Sequence, residues 1–145
     1  MRGFCLAGLL LMNSLAAQAP TKANTAFDGT WDTVISCPDT QGALGFSFRF
    51  DSVVKNGELH GEQGTRGQAG FQELNGSLVA DGVSHLLVNG LVGASQFAVG
   101  NRPAGTPYAY RVDATFHGDQ GTGKRTQGRP CDLTFHRTTA RTGPN

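Results

Sequence analysis

The residues of this chain whose types could do chemistry are four histidines, a few nearby carboxylates and a glycine-rich basic stretch. His60-x-Glu62 and His117-x-Asp119 each set an imidazole two residues from a carboxylate, and residues i and i+2 of a strand share a face. Such pairs could do acid–base work or, joined by His85 and His136, hold a metal ion. The neighbours point elsewhere. Leu59, Val112 with Phe116, and Leu133 with Phe135 take the opposite parity, which puts His60, His117 and His136 on a solvated outer face. His85 shares its parity with Leu87 and stays open between the two faces. No catalytic, metal or cofactor residue is assigned on this basis, and a hydrolytic His/carboxylate site remains the rival reading.

The run Gly118-Asp119-Gln120-Gly121-Thr122-Gly123-Lys124-Arg125 is one residue from a phosphate-binding P-loop. Arg125 stands where a hydroxyl should meet Mg²⁺, and the flanking pattern is antiparallel rather than strand-then-helix. No G-x-S-x-G nucleophile elbow occurs. Lys124, Arg125 and Arg129 read as an ordinary polar strand face, and with a formal net charge of +1 nothing favours nucleic acid. Asn75-Gly76-Ser77 is a formal glycosylation sequon and nothing more.

The elements that would position these residues are short strands. The chain holds 21 glycines without a triplet repeat, and they punctuate runs of period two, which is the signature of many turns. Phe27, Trp31, Thr33, Ile35 and Cys37 share a parity and make a first strand. Phe46, Phe48 and Phe50 alternate with Ser47, Arg49 and Asp51 in a second. Asn56-Gly57 and Asp81-Gly82 are hairpin dipeptides, joining strands over 46–54 to 58–63 and over 71–79 to 83–92. Residues 96–99 read as a short strand and 100–107 as a Gly/Pro loop. Tyr108, Tyr110, Val112, Ala114 and Phe116 alternate next, then a turn over 118–123, a polar strand over 124–127 and a last strand with Cys131, Leu133 and Phe135. No amphipathic helical spacing interrupts them. The expected fold is all-β: a single antiparallel up-and-down barrel of about eight strands, with a β-sandwich as the alternative. Domain limits follow as a barrel over 27–137 and a polar tail over 138–145.

Gly29-Thr30-Trp31 on the first strand resembles the G-x-W signature of the calycin-like barrels, lipocalins and avidins. The resemblance implies that Trp31 closes one barrel end beneath a basic residue of the last strand, for which Arg137 is the candidate, its charge reaching water. The stretches Phe27-Asp28-Gly29-Thr30-Trp31, Gly100-Asn101-Arg102-Pro103-Ala104-Gly105-Thr106-Pro107-Tyr108 and Gly121-Thr122-Gly123-Lys124-Arg125, running on to Gly128-Arg129-Pro130-Cys131, resemble a family of short exported bacterial proteins of unknown function. That resemblance implies export and domain limits, and carries no activity.

The beginning of the chain points the same way. Arg2, an apolar run over 4–12 and Ala17-Gln18-Ala19 before Pro20 have the order of a cleavable secretory signal over 1–19, followed by a flexible leader over 20–26. The run is shorter than the ~20 residues of a membrane span. Cys5 stands at the beginning of that run instead of ending it, unlike a lipoprotein anchor. Export to the periplasm or beyond leaves Cys37 and Cys131 in an oxidising space with one internal pairing open to them, a disulfide between the first and last strands. The leading functional expectation is a non-catalytic exported barrel whose partner is a small apolar ligand or an envelope protein. Phe46, Phe48, Phe50, Tyr108, Tyr110, Phe116 and Phe135 would line its interior. A hydrolase with its site at the barrel mouth and an inhibitor-like module acting through loop 100–107 are the rivals. A hollow interior favours the first, and a filled one is a plain core.

Overall fold

The computed structural model describes residues 24–40 and 42–139. The expected signal over 1–19, the first part of the expected leader and the expected tail from residue 140 lie outside the described residues. Eight antiparallel strands follow one another around a closed barrel: β1 (Gly29–Cys37), β2 (Phe46–Lys55), β3 (Glu58–Gln63), β4 (Gln72–Ser77), β5 (Val83–Leu91), β6 (Pro107–His117), β7 (Gln120–Arg125) and β8 (Asp132–Thr139). The up-and-down barrel is thus observed and the sandwich is not. Closure rests on β1 pairing with β8, with Trp31 opposite Arg137 and Ile35 opposite Leu133. This pairing satisfies the backbone groups that an open sheet would leave along two edges. Among the described residues no helix is long and apolar enough to cross a membrane.

Side-chain alternation sorts inside from outside. Along β1, Trp31, Thr33, Ile35 and Cys37 are buried, and the intervening residues are not. Asn56 and Gly57 both take positive φ, +54° and +79°, as the tight β2–β3 hairpin requires. The Asp28 carboxylate accepts both of their backbone N–H groups, at 2.9 and 3.1 Å. The second hairpin differs from expectation. Only Gly82 has positive φ, and its N–H reaches the Val79 carbonyl at 2.9 Å, so Asp81-Gly82 closes a five-residue loop over 78–82. A Cβ on Gly82 would lie 2.0 Å from the Phe116 carbonyl oxygen, so glycine is required there twice over.

Four further boundaries are corrected. Residues 95–97 form a 3₁₀ turn (Ser95–Phe97) where a strand was expected over 96–99. The β6–β7 turn takes only residues 118–119, because Gly121 and Gly123 belong to β7. The last strand runs on through Thr139 into the expected tail. Residues 24–26, expected as flexible leader, are bonded to the barrel: Asn24 Nδ2 donates to the Leu78 carbonyl at 2.8 Å, and the Ala26 carbonyl accepts from Arg137.

The strand directions give the barrel two unlike ends. One carries the short turns at 56–57, 78–82 and 118–119, and the other carries the long connections 38–45, 64–71, 92–106 and 126–131. The short-turn end is solid. Trp31, Phe116 and Phe135 are fully buried there, Trp31 edge-on to Phe116 at 5.3 Å and Phe116 against Phe135 at 4.8 Å. The Trp31 indole N–H donates to the Phe27 carbonyl at 2.9 Å. Arg137 covers this end, its guanidinium 4.9 Å from the Trp31 ring. It donates to the carbonyls of Asp28, Ala26 and Gly118 and lies 3.0 Å from Asp119 Oδ1. Its side chain is only 8% exposed, which corrects the expectation that its charge reaches water. Three backbone carbonyls and the indole face replace the lost hydration.

At the opposite end Cys37 and Cys131 are joined, their Cα atoms 4.2 Å apart. They stand one step beyond the Ser36–Asp132 pair, so the bond extends the closing seam between β1 and β8. It spans 94 residues of sequence, a closure worth roughly 4–5 kcal/mol on the chain-entropy account. The Cys37→Ser/Cys131→Ser variant is therefore expected to lose about 4–5 kcal/mol in a denaturant titration. Two alkylatable thiols in the native, unreduced protein would contradict the bond.

Candidate functional site

The long-loop end opens into a cavity of about 460 Å³. Phe46 and Phe48 of β2 and Tyr108 and Tyr110 of β6 line its walls, and Val92, Phe97 and Ala98 of the 92–106 connection close over it. Its size and its apolar lining with few polar groups are those of a small-molecule site. The aromatic set expected inside therefore divides. Phe116 and Phe135 belong to the packed floor, Phe50 packs against the core, and the other four rings line the cup. The interior is filled at one end and hollow at the other.

Ring packing builds the cup. Tyr108 and Tyr110 lie two apart on β6, so both point inward, and their rings stack 9° from parallel with centroids 6.1 Å apart. Room for Tyr108 comes from Gly90 directly opposite on β5, where a Cβ would sit 2.4 Å from the phenol. On the far wall Phe46 meets Phe48 at 5.1 Å and Phe97 edge-on at 6.4 Å. The Tyr108 hydroxyl donates to Gln72 Oε1 at 3.1 Å. Burial raises the Tyr108 phenol to about 12, and burial with the neighbouring Tyr108 pushes Tyr110 up as well.

The connections at the rim are tied by one arginine. Arg129, in the 126–131 connection, is 7% exposed and lies 4.9 Å over the Phe46 ring. Its Nη1 donates to the Phe97 carbonyl at 2.7 Å, and its Nη2 to those of Pro38 and Leu44 at 2.7 and 2.6 Å. One guanidinium thus holds the 38–45 and 92–106 connections to its own. Arg125, the last residue of β7, lies 4.3 Å over the Tyr110 ring. The expected polar strand face is corrected accordingly. Lys124 points outward to Asp132 at 2.7 Å, whereas Arg125 and Arg129 line the cavity. Neither inward arginine was legible, because β7 lacks apolar residues to mark its parity and a loop has no period.

The four histidines do not meet in the cavity. His60 bonds Asn75 and Glu62, and His85 bonds Asp113 at 2.7 Å, all on the outer wall. His117 and His136 are exposed on the same wall. The open question at His85 is settled by Leu86, which is buried, and Leu87, which is 41% exposed. The rival hydrolytic site at the mouth loses its histidines, and among the described residues no group of three metal-ligating side chains forms. In the run 118–125, a Cβ on Gly121 would strike the Phe116 ring at 2.6 Å and one on Gly123 would strike Val112 at 2.8 Å. Those glycines make way for the core and leave no phosphate cradle. Loop 100–107 is held by its own contacts, Arg102 to the Pro107 carbonyl and Thr106 to that of Pro103.

Comparison with known proteins found no matching family model, no matching curated protein and no matching solved structure.

Tyr108 and Tyr110 are the chain's 2 tyrosines, so the phenol absorbance reports the cavity alone. A pH titration of the folded protein should show almost no phenolate near pH 10 and a rise only toward pH 12. Since the unfolded phenols ionise first, near pH 10, stability should be complete below that pH and fall as pH rises above it. Reversible ionisation of either tyrosine near pH 10 without unfolding would contradict a buried pair.

Proposed function

We propose that this protein is an exported, non-catalytic binding barrel of the calycin type that takes a small, largely apolar molecule into the open end. The observation that carries the reading is the cup itself. Four aromatic side chains from β2 and β6 surround a cavity of about 460 Å³ above a fully packed floor. Four rings around empty space leave apolar area facing water, and a ligand that covers it recovers the transfer free energy, roughly 25 cal/mol per Å². The rim is already fixed by Arg129 and the disulfide, so little ordering cost falls on binding.

Export is supported by the residue order over 1–20, and the Cys37–Cys131 bond suits an oxidising compartment. The calycin assignment rests on Gly29-Thr30-Trp31 and on Arg137 stacked upon Trp31 at the closed end. A neutral, environment-sensitive dye of suitable size, N-phenyl-1-naphthylamine, should brighten on binding the disulfide-bonded protein and saturate at one site. Ala98→Trp, which fills the cavity from its roof, should weaken the dye about tenfold, a 1.4 kcal/mol loss, with little change in melting temperature. An absence of binding, or binding indifferent to Ala98→Trp, would overturn the reading.

A further inference from the structure

The cup carries a positive charge, on Arg125, that no ion pair among the described residues neutralises. The inward positions of β7 are Gly121, Gly123 and Arg125. The first two have no space for a side chain, so the strand first projects into the interior where the barrel widens. Arg125 rests one face on Tyr110 and donates from Nε to the Gln127 carbonyl at 2.6 Å. Among the described residues no hydrogen bond engages its two terminal nitrogens. Arg129 spends its terminal nitrogens on rim carbonyls, and Arg102 stands beside them with one bond, to Pro107.

Among the described residues no aspartate or glutamate lines the cavity. The arginine and lysine ion pairs of the described residues lie elsewhere: Arg49–Asp32, Arg66 with Glu62 and Glu73, Lys124–Asp132 and Arg137–Asp119. Asp39, whose carboxylate accepts the Gly45 N–H, offsets part of the charge of Arg129, and no acid acts on Arg125 in the same way. Partial burial works against the charge of both Arg125 and Arg129, yet a guanidinium stays protonated. Arg129, on the cavity lining, keeps its Nε buried without a partner among the described residues. A partly dehydrated Arg125 with no acid partner among the described residues, set in an aromatic wall, forms a site that is incomplete by one negative charge.

We propose that the ligand is an amphipathic anion: an apolar body of aromatic size carrying a single oxyanion group, a carboxylate or sulfonate, seated on Arg125. This rests on the binding-barrel reading and adds its specificity. The body packs among Phe46, Phe48, Tyr108 and Tyr110 while the acid takes the free guanidinium nitrogens. Arg129 and Arg102 add long-range attraction at the mouth. Neutral molecules of the same shape gain the apolar contact alone.

A matched dye pair tests this. 8-Anilino-1-naphthalenesulfonate and N-phenyl-1-naphthylamine share one aromatic frame and differ by the sulfonate. The anionic dye should bind the disulfide-bonded protein about tenfold or more tightly than the neutral one, the scale of one charge-assisted contact. Arg125→Gln should remove most of that advantage and cost the neutral dye far less, whereas Arg125→Lys should keep part of it. Equal affinities in the unmutated protein would overturn the anion assignment while leaving the binding barrel intact, and an advantage that survives Arg125→Gln would overturn the seat on Arg125. If neither dye binds, the barrel reading fails and this inference with it. The comparison on the unmutated chain decides the anion assignment even if Arg125→Gln folds poorly, and Arg125→Lys then tests the seat.

Discussion

Each end of this barrel is finished by a guanidinium that leaves water, lies on an inward-facing ring and collects backbone carbonyls. Arg137 does so over Trp31, with the carbonyls of Ala26, Asp28 and Gly118. Arg129 does so over Phe46, with those of Pro38, Leu44 and Phe97. A barrel end is the place where strands stop and carbonyls lose ladder partners, and five donors in a rigid fork suit that need better than a lysine would. The two ends differ in what lies beneath. Under Arg137 the space is filled by Trp31, Phe116 and Phe135; beside Arg129 it is left open. The closed end is packed solid, and the open end holds the cavity.

Glycine placement produces that difference. Gly61, Gly90, Gly121 and Gly123 stand where a Cβ would strike a side chain of the adjoining strand: Ser52 with Phe50, Tyr108, Phe116 and Val112 respectively. Eight strands enclose only enough room for one set of large side chains, so a ring from one wall demands an absence on the next. Thr33 and Ser52, both fully buried, satisfy each other through a hydroxyl pair at 2.8 Å, and Gly61 leaves them the space. Above that layer the rings of Phe46, Phe48, Tyr108 and Tyr110 belong to separated strands and stand around the cavity. A packed lower half thus holds a preformed upper one, the arrangement that keeps the ordering cost of binding low.

Much of the fold was legible because period two is a strong signal when one face is apolar. β1, β2, β6 and β8 announce themselves through Trp31, Phe48, Tyr110 and Phe135, and Asn56-Gly57 fixes a hairpin outright. The tryptophan-and-arginine closure was legible from three residues and a basic position. The site was less so. Glycine supplies the inward positions of β7, so its interior face has no hydrophobic mark, and Arg125 reads as solvated. Arg129 lies in a connection, where burial comes from distant partners at 38, 44 and 97 that no local pattern announces. His85 was open for the opposite reason, because Leu87 is an apolar residue on the outer wall.

The central claim, a preformed small-molecule site at the long-loop end of a solid barrel, is tested most directly by mapping amide chemical shifts of the protein during addition of a saturating amphipathic ligand. Binding in the cup predicts shifts concentrated at residues 46–48, 92–98, 108–110 and 125–129, with the amides around Trp31, Phe116 and Phe135 nearly unmoved. Shifts gathered instead on the outer groove beside Val79, Val83 and Leu87, or spread through the closed end, would contradict it.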